Sequence, residues 1–455
     1  MSLRDIDWGG LLTPSVSPHP ELTALYSVQH QEAAISSLQT RNPQRAESWR
    51  YTKLKGYFEE GALSSLCCEP NFHHDGIPLN AQSASGLRLY KLSDFAANRD
   101  RHEALEKEAW LWLSSQFKDE SALHQLYSLH SCDGYLLILD EDVQGGELDS
   151  LGLLTESTPT KAQEGVAHIS SNGLWVYLAR GAQLKLTERF GDLSTTAGLA
   201  FISLTGFYLS EDSQLTYLRT QEAMRGITNQ PQLHLAKVNV QVGARASFKM
   251  TNLNLGADLS RIELDVSLEQ EEASAELNGL YLGSDTATLD QHLTLHHRAP
   301  NCSSVQQFKG ALGGRSRGVF TGRVIVAQGA HTTVAEQNNP NLILSDEARA
   351  TTRPQLEIYN DQVECSHGAT VGQLDADALF YLRARGLDEA SALKALTTAF
   401  VGEVRASLGD PSLKESVDQA LLRALGLNST EHRSGEEWID WEDPSLSDTL
   451  YGADR

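Results

Sequence analysis

The chain reads as mainly β, a long strand region between two helical ones, and three observations carry that reading. From about Gly134 to Thr370, short runs alternate apolar and polar residues with period two: Leu174, Val176, Leu178; Leu233, Leu235; Val238, Val240, Val242; Ile262, Leu264, Val266; Leu293, Leu295; Val324, Val326. No helix-length amphipathic segment interrupts them, which excludes a wound α/β fold. Gly310-Ala311, Gly329-Ala330, Glu347-Ala348 and Gly368-Ala369 sit near strand ends with alanines 19, 18 and 21 residues apart, and Gly181-Ala182, Gly243-Ala244 and Gly256-Ala257 look like earlier members. A period near twenty with glycine at corners suits a β-solenoid, in which each coil stacks on its neighbour. An antiparallel sandwich with chance Gly-Ala pairs fits the same residues, and periodicity does not choose between them.

Residues 1–130 read as helix and loop. Glu21 to Leu38 places Leu22, Leu25, Ile35 and Leu38 near helical spacing and is stopped by Pro43, while His102 to Phe117 sets Leu105, Trp110, Leu113 and Phe117 among charged residues. The strand region is expected over 131–370, and a helical region over 371–427. Asp375 caps a short helix that carries Arg383 and Arg385 in its last turn and stops at Gly386. Asp388 begins a second helix with a stripe of Leu393, Leu396, Phe400, Val401, Val404 and Leu408; Asp410-Pro411 opens a third, with Leu413, Val417, Leu421 and Leu425 at four-residue steps. Beyond Leu427, residues 428–455 hold eight acidic residues against two arginines, a composition that predicts a disordered extension.

Among 455 residues, 37 Lys and Arg face 60 Asp and Glu, a formal charge of −23 that makes nucleic acid and anionic membranes poor partners. No stretch approaches the ~20 apolar residues that span a bilayer, and Met1 to Pro20 shows no secretory signal, so a cytoplasmic protein with reduced thiols is expected. The cysteines (Cys67, Cys68, Cys132, Cys302, Cys365) are odd in number and lack CxxC spacing, which argues against a disulfide framework. No GxxxxGK[ST] is present, so no ATP site of that kind exists in this chain, and GxGxxG after a strand, GxSxG and HExxH are absent too. His296-His297 ends an alternating run, which turns one ring in and one out.

Pro354 to Gly372 is the most informative segment. Leu356 and Ile358 begin a half-buried strand, and Cys365 and His367, two residues apart, then project from one face of it. A thiolate beside an imidazole can hold iron, zinc or copper. One Cys and one His are also only half a metal site, and a free Cys commonly serves as a small buried hydrophobe. The spacing leaves both readings open.

The wording of the segment resembles a known family. Cys-Ser-His-Gly-Ala-Thr-Val-Gly at 365–372 after Arg-Pro-Gln-Leu-Glu-Ile, followed by Leu-Phe-Tyr-Leu-Arg-Ala-Arg-Gly at 379–386, is similar to the SufB/SufD family of iron–sulfur cluster assembly scaffolds. The similarity continues through His297-Arg298-Ala299-Pro300, Gln307-Phe308-Lys309-Gly310, Ser316 to Gly322, Asn341 to Ser345, and the early Glu47-Ser48-Trp49-Arg50-Tyr51-Thr52. It is dense over roughly 295–400 and sparse elsewhere. The Cys-Ser-His-Gly-Ala-Thr block and the absence of clustered N-terminal cysteines resemble the SufD-like branch.

The resemblance implies a parallel β-helix and a non-catalytic scaffold that pairs with a SufB-like subunit and with the SufC ATPase, and with a second copy of itself when alone. It implies that His367 ligates the nascent cluster at the SufB–SufD interface with Cys365 in support, and that Phe380, Tyr381, Arg383 and Arg385 face SufC. The cluster would be transient and shared with the SufB-like partner, since [2Fe–2S] and [4Fe–4S] centres usually take four ligands. The family's example extends to flavin in the assembled complex, with no residue of this chain marked for it. A different class, a β-solenoid carbohydrate lyase or hydrolase working through paired carboxylates, would draw on Asp258, Glu263 and Asp265.

Overall fold

Parallel pairing between every second strand organises the chain. The computed structural model describes residues 86–117, 133–151, 167–190, 199–222 and 232–427, with Ser121, Leu123, His124 and Tyr127, and the backbone of three strands within 63–78. Both Glu21–Leu38 and the acidic 428–455 segment fall outside the described residues, as do Glu47–Thr52 and Cys132. The strands are β1 (Leu63–Cys67), β2 (Asn71–His74), β3 (Ile77–Pro78), β4 (Leu87–Lys91), β5 (Tyr135–Leu139), β6 (Gln144–Leu151), β7 (Ala167–Leu178), β8 (Gln183–Phe190), β9 (Leu199–Leu209) and β10 (Gln214–Gln221). They continue as β11 (Leu233–Val242), β12 (Ser247–Asn254), β13 (Leu259–Leu268), β14 (Ser274–Gly283), β15 (Thr288–His297), β16 (Ser303–Leu312), β17 (Arg317–Val326), β18 (Thr333–Ile343), β19 (Arg349–Ile358) and β20 (Val363–Gly372). From β5 onward the odd strands form one parallel sheet and, from β6, the even strands form the other, so the chain winds as a two-faced β-solenoid of about six turns. Antiparallel strands finish its N-terminal end, β4 beside β5 and β2 beside β6.

The repeat is longer than the Gly-Ala spacing suggests. Val238 pairs with Leu264, 26 residues on, then Leu264 with Leu293 and Leu293 with Gly322, 29 residues each. What recurs at the turn from odd to even strand is a left-handed residue, and among Asp142, Gly181, Asp212, Arg245, Glu272, Asn301 and Thr332 only one is glycine, with φ between 54° and 70°. Each donates its N–H to a carbonyl one coil on: Asp212 to Ala244, Arg245 to Glu271 (both 2.9 Å) and Thr332 to Gln362 (2.7 Å). This ladder offsets the ~1–2 kcal/mol that a left-handed non-glycine costs. A small, fully buried residue follows at once at six corners: Ala182, Ser213, Ala246, Ala273, Cys302 and Thr333.

Between the sheets the core is apolar along most of its length, with Leu174, Val176, Leu186, Phe207, Met250, Leu264, Leu277 and Leu293 all nearly inaccessible. Polar groups are also set into it, one cluster of them around Glu188. The Glu188 carboxylate accepts from Thr205 Oγ1 at 3.0 Å and from the Tyr217 hydroxyl, while Arg219 lies 4.7 Å over the Phe190 ring and donates to Asn252 Oδ1 at 3.1 Å. Burial raises the Glu188 pKa, although Tyr217, Arg219 and Thr205 all oppose it.

Helices cover the outer faces. The expected His102–Phe117 helix is α2 (Ala104–Gln116), preceded by the short α1 (Leu92–Ala97). Together with Phe117 and Tyr127 they lay Phe95, Trp112 and Leu113 on Leu136, Trp175, Ile202 and Leu235 of the odd sheet. At the other end α3 (Ala376–Ala384), α4 (Glu389–Ala406) and α5 (Pro411–Ala424) begin at the anticipated caps, Asp375, Asp388 and Asp410 accepting from Asp377, Ser391 and Ser412 N–H. Val401, Val404, Leu413, Val417 and Leu421 cover Leu253, Leu280, Leu282 and Leu342 of the even sheet. The buried face of α4 is rotated from the expected stripe: Ala392, Ala395 and Thr398 turn inward with Val401 and Val404, and Leu393 and Leu396 are half-buried.

The tightest approach is at Gly313, where an added Cβ would lie 1.6 Å from the Ala424 carbonyl oxygen. Gly313→Ala is therefore expected to destabilise the chain by about 1–3 kcal/mol, the usual cost of overpacking, as measured by denaturant unfolding. An unchanged midpoint would show that α5 does not close on this corner.

Candidate functional site

Among the described residues, no further strand covers the last coil. Among the described residues β19 pairs only with β17 and β20 only with β18, and hardly a side chain on either is fully buried. Apolar residues that would be core one coil earlier lie open: Ile358, in register with the fully buried Val326, is 41% exposed, and Val371, in register with buried Asn341, is 50% exposed. Edges and apolar patches of this kind mark interaction surfaces.

Register fixes where Cys365 and His367 point. Cys365 ends the inward ladder Phe248, Ala275, Ser304, Ala335, and His367 ends the neighbouring one, Met250, Leu277, Gln306, Gln337. Both therefore project from one face of β20 toward the solenoid axis at its open end. Cys365 is half-buried and His367 exposed. Burial pushes the Cys365 thiol pKa up, against the backbone N–H of Ala335, so the chain by itself holds a thiol rather than a thiolate. Among the described residues no group of three or more His, Cys, Asp or Glu is placed to hold a metal ion.

The interior beneath the two residues is built differently from the rest. Toward the open end, inward side chains become amides: Gln291, Gln306, Gln337, Asn339 and Asn341 are all buried. Asn339 Nδ2 donates to the Tyr281 hydroxyl at 3.0 Å and to the Phe308 carbonyl at 2.7 Å, and Asn341 Nδ2 to Asn339 Oδ1 at 2.8 Å. Gly310 makes the room, since a Cβ there would lie 2.3 Å from the Tyr281 ring. A polar residue inside a strand normally reads as outward, so the local pattern does not mark these amides; the run Gln337-Asn338-Asn339-Pro340-Asn341 is the available signal. His297 and His296 divide as expected, His297 fully buried with Nε2 2.9 Å from Ser304 Oγ and His296 half-exposed.

The four residues expected to face a partner lie on α3 and at its C-cap. Helix α3 buries none of its side chains; Phe380 is 74% and Tyr381 47% exposed. Arg385 lies over the Tyr381 ring at 5.2 Å, and Arg383 is 3.4 Å from Glu389. The carboxylates of the lyase reading are each engaged elsewhere. Asp258 accepts the Gln232 N–H at 2.7 Å, Glu263 bonds Arg261 at 2.7 Å with its pKa lowered by Arg261 and Lys237 against the pull of burial, and Asp265 pairs with Lys237 at 2.5 Å. A general acid needs a raised pKa, which Glu263 lacks.

The described residues thus form a β-solenoid whose last coil carries Cys365 and His367 inward. The family model described as "SUF system FeS cluster assembly, SufBD core domain" matches residues 160–400. The chain is 28% identical to the iron–sulfur cluster assembly protein SufD of Escherichia coli over 399 residues, 86% of this chain and 91% of that one. It is 33% identical over 255 residues to an iron–sulfur cluster assembly SufBD family protein of Synechocystis, covering 54% of this chain and 55% of that protein. It is also 27% identical to SufD of Plasmodium falciparum over 256 residues, only 17% of that longer protein. The chain belongs to the SufBD family and is a homologue of SufD.

Burial holds the His297 pKa down at about 4, below its ordinary 6.5. The unfolded chain then binds this proton more readily than the folded one, so the contribution of the neutral ring is complete above pH 6.5 and is lost as pH falls toward 4. His297→Gln is expected to flatten the decline of unfolding free energy across that window, by about 3 kcal/mol at most. An identical slope in wild type and variant would contradict it.

Proposed function

We propose that this chain is the SufD-like scaffold subunit of a SufB–SufC–SufD complex that assembles iron–sulfur clusters. The observation that carries the reading is the inward pairing of Cys365 and His367 on the uncovered β20. The open end would meet the β-solenoid of a SufB-like subunit, whose strands and side chains cover β19 and β20 and add the ligands this chain lacks. In the absence of that partner the same edge is offered to a second copy of this chain.

The cluster is cargo in this scheme. His367, exposed at the open end, offers a ring nitrogen to iron, and Cys365 supplies a soft ligand once iron or the partner draws off its proton. The chain itself catalyses no step. Work comes from the SufC ATPase, docked on α3 through Phe380, Tyr381, Arg383 and Arg385, and the segment 371–427 is the docking domain, beside the solenoid core 131–370 and the N-terminal region 1–130. A cytoplasmic setting keeps the thiols reduced. Among the described residues no helix is long and apolar enough to cross a membrane. Any flavin would belong to the assembled complex.

The test is anaerobic co-expression with SufB-like and SufC-like partners, reading iron and sulfide on the purified complex. His367→Ala is expected to leave the complex intact and lower its iron at least tenfold, and Phe380→Ala with Arg385→Ala to release the ATPase while sparing the other pairing. An intact His367→Ala complex with normal iron would remove the residue from the chemistry, and full retention of the ATPase would remove α3 from the docking surface.

A further inference from the structure

The ladder that ends in His367 contains a side chain to which the scheme above gives no part. Gln337 lies one strand below His367 in register and is 1% exposed, facing the same axis. Its Nε2 donates to Gln306 Oε1 at 2.8 Å. Its Oε1 is buried with no hydrogen-bond partner among the described residues, and so is Gln306 Nε2. The amide is also confined from the opposite sheet, because a Cβ on Gly322 of β17 would lie 2.3 Å from Gln337 Nε2 and 2.8 Å from its Cδ. Glycine at 322 is thus the space that the Gln337 amide fills.

A buried acceptor left without a donor is costly and calls for an explanation. Adjacent strands stand about 4.8 Å apart, and the register neighbour on the uncovered side of Gln337 is the exposed, rotatable imidazole of His367. A histidine that ligates a metal through one nitrogen almost always donates its other N–H to a carboxylate, carbonyl or water, which fixes the tautomer, aims the ring and raises its basicity. We infer that Gln337 is the positioning residue of the assembly site: its Oε1 accepts one ring N–H of His367 and leaves the other nitrogen's lone pair directed out of the open end toward iron. Gln306 and Gly322 hold the amide in place for this. The inference rests on His367 being an iron ligand.

Packing and acceptance make opposite demands on position 337, which gives the test. Gln337→Met keeps length and fill and deletes the acceptor. Gln337→Glu keeps the acceptor, and Gln306 can turn its amide so that its orphaned Nε2 donates to the new carboxylate. Iron and sulfide are measured on the full complex for both variants, for His367→Ala, and for Gln337→Met combined with His367→Ala. The expected result is about tenfold less iron for Gln337→Met, within the usual 10–100-fold effect of such partners. Near-normal iron is expected for Gln337→Glu, and the double variant should be no worse than His367→Ala alone. Gly322→Ala, which pushes on the amide from the other sheet, should follow Gln337→Met. Normal iron in Gln337→Met beside a depleted His367→Ala overturns this inference alone, as does a Glu variant worse than the Met variant. Normal iron in His367→Ala overturns the ligand reading and this one with it. Failure of the Met, Glu and Gly322→Ala variants to assemble with their partners assigns Gln337 to folding and also overturns it.

Discussion

A parallel coil is complete only when another coil lies on each side of it, and everything else in this protein follows from that requirement. Backbone N–H and C=O groups along each strand, and the left-handed N–H at each corner, are satisfied by the coil above. Side chains facing inward are buried by the same stacking. The rule holds from β5 to β18 and fails at β19 and β20, where one edge and half of the inner face have no cover among the described residues. The chain places Cys365 and His367 there, and the family to which it belongs places iron–sulfur assembly in this fold.

The interior changes character as it nears that end. Leu277 and Met250 line the ladder deeper in, but the two rungs before His367 are Gln306 and Gln337. Buried amides lower stability unless they are paired, and Asn339, Asn341 and Tyr281 pair with one another. The inner face thus passes from apolar side chains to amides as it approaches the last coil. The C-terminal helices, meanwhile, are fastened to the even sheet by apolar contacts and by Lys309 to Glu403 at 3.0 Å, leaving α3 projecting.

Much of this was legible in the sequence where the physics is local. Period-two runs gave the strands, and Asp375, Asp388 and Asp410 gave the helix starts, because a cap is decided within three residues. The shared face of Cys365 and His367 followed from their spacing. The coil length did not. Glycine reads locally as the corner marker, yet Arg245, Glu272 and Thr332 adopt the left-handed conformation because a ladder hydrogen bond one coil away compensates them; the small residue just after each, such as Ala246 or Ala273, is the better marker. The rotation of α4 depends on the sheet it meets, and the inward amides depend on the sheet opposite, so neither is written in a local pattern. The exposure of β20 is a property of where the stacking stops, which single residues do not encode; the family resemblance supplied that part.

The central claim is that the uncovered coil is the surface on which a partner completes this protein. Hydrogen–deuterium exchange of the full chain, alone and after mixing with a SufB-like partner, reads it directly. The account predicts that amides of 349–372 exchange fast in the free chain and are slowed in the complex, while those of β11 to β16 are protected in both. Equal exchange of 349–372 with and without the partner, in a complex shown to have formed, would contradict it.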